Sequence, residues 1–129
     1  MQLFKNSKYI PDSVNAILKF KHNVTAMINV DWMCPYKEHR FCVLGSKGSL
    51  VFDDTKDWKE KLFLNHSRIN DSLNIINGDS EFINIEPEQP LKKELENFLK
   101  CINKNIQPLT NYKEALMVQK VMAMIEDHI

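Results

Sequence analysis

From Val14 to Trp32 apolar and polar residues alternate with period two, and this alternation limits the possible folds more than any other feature. Val14, Ala16, Leu18 and Phe20 fall on one side and Asn15 and Lys19 on the other, with Ile17 the exception. After Lys21-His22-Asn23, the residues Val24, Ala26, Ile28, Val30 and Trp32 resume the pattern opposite Thr25, Asn29 and Asp31. Successive side chains of a strand point to opposite faces, so the pattern predicts a long antiparallel hairpin with one face on a core and the other mixed. Pro35 lacks an amide proton and restricts Cys34, which stops the second strand near Met33.

Phe41 to Leu44 and Ser49 to Phe52 flank Gly45-Ser46-Lys47-Gly48 and read as a second hairpin, with Gly supplying the positive φ such a turn usually needs. Lys61 to Leu64 and Glu81 to Ile85 read as further strands. The Asn-rich stretch between them holds Ile75-Ile76 as a short edge strand. Pro90 suits a first helical position, and Leu91, Leu95, Phe98, Leu99 and Ile102 form one apolar stripe. Pro108 forbids simple continuation, and Asn111 with Glu114 has capping-box spacing for a second helix. The fold class expected is α+β: an open, mainly antiparallel sheet with two C-terminal helices packed on one face. Apolar residues, among them Leu116, Met117, Val118, Val121, Met122 and Met124, cover most of the last helix. A helix resting on one sheet face needs an apolar arc of only about 100°. The excess predicts contact on a second side; full burial within the domain is the competing reading.

A chain of 129 residues fits a single domain, residues 1–129. Seventeen basic and seventeen acidic side chains leave no net charge, and only Arg40 and Arg68 supply guanidinium forks, which argues against nucleic-acid binding. No apolar run approaches the roughly 18–20 residues of a membrane span. Met1 to Asn6 lacks the apolar core of a secretory signal, so a cytoplasmic protein with reduced thiols is expected. Cys42 reads as a small buried strand residue and Cys34 as the thiol nearest solvent. The histidines at 22, 39, 66 and 128 never reach metal-ligand spacing, and no metal site is expected.

The loop after Trp32 carries the polar candidates. Lys37 and Arg40 could present two cations to a phosphate or carboxylate, the arginine as a bidentate fork and the lysine as a point charge. The alternative is a solvated loop in which they pair with Glu38. Tyr36 could stack on a sugar or base, whereas Trp32 lies on the core-facing register and reads as packing. His39 reads as a surface residue, and Asp53-Asp54 as a strand end turning on its own carboxylates.

Several of these segments together resemble a known family. They are Asp12 to Phe20, Val24 to Trp32, Pro35-Tyr36-Lys37, Val43 to Gly48 and Leu50 to Asp54, followed by Pro90 to Leu99 and Pro108-Leu109-Thr110. The order is similar to the C-terminal domain of the glucose–fructose oxidoreductase, inositol dehydrogenase and rhizopine-catabolism (Gfo/Idh/MocA) family, and within it to nucleotide-sugar 3-dehydrogenases acting on UDP-N-acetylglucosamine-type substrates. The resemblance implies a glyceraldehyde-3-phosphate dehydrogenase-like C-terminal domain that shapes a sugar pocket and mediates homo-oligomerisation. It also implies a separate N-terminal Rossmann domain that binds NAD(P).

A Rossmann site needs a Gly-rich turn at a helix N-terminus. This sequence has three glycines, Gly45, Gly48 and Gly78, and none opens a βαβ unit. The family's Glu-Lys-Pro and Asp-x-x-x-His motifs are also missing from these residues. No cofactor and no catalytic residue is therefore expected here, and the chain alone is expected to be inactive. Tyr36, Lys37 and Arg40 are the substrate-side candidates, and the mixed face with Ile17 and Met27 the candidate subunit interface. Two other readings stand beside this one: a stand-alone interaction module, and a small nucleotide-sugar-binding protein.

Overall fold

A computed structural model describes residues 11–128; the expectations for Met1 to Asn6 lie outside them. The class is α+β, with antiparallel sheets and two C-terminal helices. Residues fall into two compact units, one of 11–34 with 90–128 and the other of 35–89.

In the first unit the alternation becomes β1 (Ser13–Lys19) and β2 (Thr25–Asp31), paired antiparallel from Ser13–Asp31 to Lys19–Thr25. The turn holds His22 and Asn23 at φ 59°, a left-handed conformation that both residue types adopt more readily than most. Register puts Ile17 directly opposite Met27, beside the pair Asn15–Asn29, whose side chains share a 2.8 Å hydrogen bond. That face is mixed, and Ile17 and Met27 are 63% and 81% exposed on it. Trp32 follows the strand; its N–H donates to the Asp12 carbonyl at 2.8 Å, and its ring is exposed. The packing role expected for Trp32 is thereby corrected: the register chooses a side for the ring but does not cover it.

Helix α1 (Pro90–Lys104) opens on Pro90 as expected. Its less exposed positions are Asn97 and Cys101, while Leu91, Leu95, Phe98, Leu99 and Ile102 are all exposed. Helix α2 (Tyr112–Glu126) begins with a complete capping box. The Asn111 side chain accepts from the N–H groups of Lys113 and Glu114 at 2.9 and 3.4 Å, and Glu114 accepts from the Asn111 N–H at 3.2 Å. Leu116, Met117, Val118, Met122 and Met124 are exposed around α2.

The second unit is a four-stranded antiparallel sheet in the order β3-β4-β5-β8, with a small β6–β7 hairpin. Strands β3 (Arg40–Gly45) and β4 (Gly48–Asp53) are joined by the Ser46-Lys47 turn. Strand β5 is Leu62–Asn65, and β8 is Ser80–Ile83. Ile75–Ile76 forms β7, as expected; its partner β6 (Arg68–Ile69) was not foreseen. Gly48 sits at φ 151°, and a Cβ there would lie 2.3 Å from the Asn65 carbonyl oxygen, so the position needs glycine twice over. Cys42 is exposed and Cys34 only partly so, the reverse of expectation, because β3 is a border strand. Among the described residues no hydrophobic side chain is fully buried; Asp12, Asp53 and Lys61 are the buried ones.

Candidate functional site

The sheet of the second unit has two chemically different faces. Pairing puts Cys42, Val51, Phe63 and Phe82 in one row, with Arg40 opposite Asp53 on the same face. Val43, Leu50 and Leu64 form a row on the other. Each face carries a depression. One of about 200 Å³ is lined by Arg40, Asp53, Lys56, Glu60 and Lys61 over Val51, Phe63 and Phe82. The other, about 550 Å³, lies at the Gly hairpin, with Lys47 and His66 above Val43, Leu50 and Leu64.

The charged corner is built where β3 and β4 run into their loops. Arg40 Nε lies 3.4 Å from Asp53 Oδ2, and its Nη2 3.8 Å from Glu38 Oε1. Asp53 Oδ1 accepts from the Thr55 hydroxyl at 2.6 Å and the Thr55 N–H at 3.0 Å. These bonds, the hydroxyl first and Arg40 contributing less, hold the Asp53 carboxyl below its usual pKa. Asp54 Oδ1 receives Lys61 Nζ at 2.5 Å, and Oδ2 lies 3.3 Å from His39 Nδ1. Lys61 is the main cause, with His39 second, of a lowered Asp54 pKa. The Lys61 ammonium also lies 4.7 Å from the centre of the Trp58 ring, which is close enough for a cation–π contact.

Of the three substrate-side candidates, Arg40 lines a cavity, while Tyr36 and Lys37 are exposed on the preceding loop. Asp53-Asp54 does end a strand and turn on its own carboxylate, as its sequence implied. Lys61, Lys56 and Glu60 escaped the sequence reading. Lys61 is placed by cross-strand register, which sets it opposite Asp53 once β4 and β5 pair, and Lys56 and Glu60 by the turn and single 3-10 turn that connect those strands. The corner offers guanidinium and ammonium donors beside carboxylate acceptors above an aromatic floor, a set that suits polyhydroxylated or anionic ligands. Among the described residues no group of three or more His, Cys, Asp or Glu side chains is placed to hold a metal.

Residues 2–127 match the family described as the oxidoreductase family, C-terminal alpha/beta domain (Gfo/Idh/MocA). The chain belongs to the Gfo/Idh/MocA oxidoreductase family, as its C-terminal domain. No curated protein and no solved structure matches it. A C-terminal domain of this family implies an N-terminal partner domain. No helix among the described residues is long and apolar enough to cross a membrane.

Proposed function

We propose that this Gfo/Idh/MocA domain forms the substrate side of a nicotinamide-dependent sugar or nucleotide-sugar oxidoreductase, with UDP-N-acetylglucosamine-type substrates the leading class. The observation that carries the reading is the family match across residues 2–127. The corner where Arg40 stands over an aromatic floor supports it. In the intact enzyme a Rossmann domain binds NAD(P) and supplies the proton-transfer groups, because these residues contain no Gly-rich dinucleotide turn. Arg40, Lys37 and Tyr36 contact the sugar nucleotide: the two cations face its phosphates and the phenol ring its sugar or base. The small cavity lies below the roughly 300–1,000 Å³ of sites that enclose a whole small ligand, so this chain holds one end of the substrate. The Ile17–Met27 face of the β1–β2 hairpin joins subunits of a cytoplasmic homo-oligomer.

Reading the coding DNA upstream of Met1 tests the domain assignment; an in-frame Gly-x-Gly-x-x-Gly segment is expected. Calorimetry with UDP-N-acetylglucosamine tests the site. Weak binding that Lys37→Ala and Arg40→Ala each reduce supports the reading, and binding indifferent to both substitutions removes these residues from the site.

A further inference from the structure

Asn77 is the only asparagine of the chain that precedes a glycine. The backbone nitrogen of the next residue can close a succinimide ring onto a carboxamide, and glycine has no side chain to shield that nitrogen. The fold holds the glycine in place. A Cβ at Gly78 would lie 2.5 Å from the His66 carbonyl carbon and 2.6 Å from its oxygen. Position 78 therefore takes no side chain unless backbone moves. Asn77 follows directly on β7, outside the strand, and is exposed. Among the described residues its carboxamide makes no hydrogen bond. Other asparagines of this stretch are held: Asn70 Oδ1 accepts from the N–H groups of Ser72 and Asn74 at 3.1 and 2.9 Å, and Asn84 Nδ2 donates to Glu86 at 3.1 Å. Asn74 and Asn84 are each followed by isoleucine, whose branched side chain crowds the attacking nitrogen. One contact restrains Gly78. Its N–H donates to Ser67 Oγ at 3.1 Å, and the same hydroxyl lies 3.4 Å from the Gly78 carbonyl oxygen. A nitrogen held in this way must break its hydrogen bond before it can attack.

We propose that Asn77 is a site of spontaneous deamidation, and that the Ser67 hydroxyl is the latch that sets its rate. When the latch opens, the Gly78 nitrogen gives its proton to solvent hydroxide and bonds to Asn77 Cγ. The Cγ–Nδ2 bond breaks, and Nδ2 takes a proton from water and leaves as ammonia. Water then opens the succinimide at either carbonyl, giving aspartate or isoaspartate. One water enters, one ammonia leaves, and nothing is oxidised or reduced. Both products add a carboxylate on the segment that lies against His66, whose Nε2 is 3.7 Å from Glu81 Oε1. Isoaspartate also lengthens the backbone by a methylene between Ile76 and Gly78. The Gly78–Ser67 bond and the 3.0 Å bond from the His66 N–H to the Asp79 carbonyl cannot then both keep their register. The short β6–β7 ladder ends beside these bonds and should loosen with them. His66 lines the depression at the Gly hairpin, so the modification acts at its rim. All of these groups belong to the second unit, and none has a part in the proposed activity.

The full chain is kept in mildly alkaline buffer, sampled over days, digested with trypsin and read by mass spectrometry. The tryptic peptide from Ile69 to Lys92 carries Asn70, Asn74, Asn77 and Asn84, so three asparagines serve as controls for the fourth. The mass gain of an amide turned to a carboxyl should appear at Asn77 more than about tenfold faster than at the others. Isoaspartate, recognised by its resistance to the protease Asp-N, should be among the products, and Asn77→Gln should abolish them. Ser67→Ala should speed the loss several-fold in the folded chain and leave it unchanged in urea, where no latch exists. Ser67→Thr keeps the hydroxyl and should keep the slow rate, which separates the latch from a general loosening of the hairpin. Loss at Asn77 no faster than at Asn70, Asn74 and Asn84 overturns the site. A Ser67→Ala rate equal to or below that of the unchanged chain overturns the latch.

Discussion

Asp53 and Asp54 anchor the corner of the second unit as carboxylates, and this gives its stability a definite pH dependence. Both carboxyl groups lie below the usual aspartate pKa, Asp53 through Thr55 and Asp54 through Lys61. The unfolded chain binds those protons more readily than the native one. Their contribution is therefore fully present above the ordinary aspartate range and is lost as pH falls through the depressed native values. Urea unfolding should show a midpoint that drops on acidification below about pH 4, and less steeply in Asp53→Asn. A midpoint that rises with acid would contradict the arrangement. Gly48 offers a sharper structural test. Gly48→Ala forces a positive φ on a side chain aimed at the Asn65 carbonyl and should cost about 1–3 kcal/mol or more. Gly45→Ala meets only the Gly48 carbonyl, at 3.4 Å, and should cost less. Denaturation of the two variants side by side checks the difference.

At the scale of elements, local rules were legible where one element decides its own form. The alternation of residues 14 to 32 produced β1 and β2, Pro90 opened α1, and Asn111 with Glu114 formed the capping box. Asn111→Ala leaves the first-turn amides of α2 without their acceptor and should lower stability by about 1 kcal/mol. Thermal melts followed by circular dichroism check this, and an unchanged melt would mean that the cap does not hold the helix. What sequence could not supply depends on partners. Arg68-Ile69 is too short to announce β6, and Lys61 reads as one more strand residue until register sets it beside the Asp53-Asp54 corner. Trp32 and Cys42 fail for the same reason. Periodicity says which way a side chain points, not whether anything lies against it.

At the scale of the molecule, exposed apolar surface is the main observation. The stripe on α1, most of α2 and the Ile17–Met27 pair all face outward. Contiguous patches of this kind mark surfaces that other protein covers. This is consistent with the family, in which a C-terminal domain works beside an N-terminal one. If the Ile17–Met27 face joins subunits, Met27→Lys should shift the chain toward smaller species in sedimentation without altering its circular dichroism. An unchanged distribution would remove that face from the interface. Arg40 and its pairing with Glu38 were legible in the loop sequence, but Asp53 became its neighbour only once the strands had been paired.

If these residues supply the substrate side of an oxidoreductase whose cofactor site lies in another domain, the chain by itself takes up no nicotinamide cofactor. Titration of the purified chain with NADH and NADPH, followed by nicotinamide fluorescence, addresses it most directly. A linear signal with no saturable component is the predicted result. Saturable binding of either cofactor by this chain alone would contradict it.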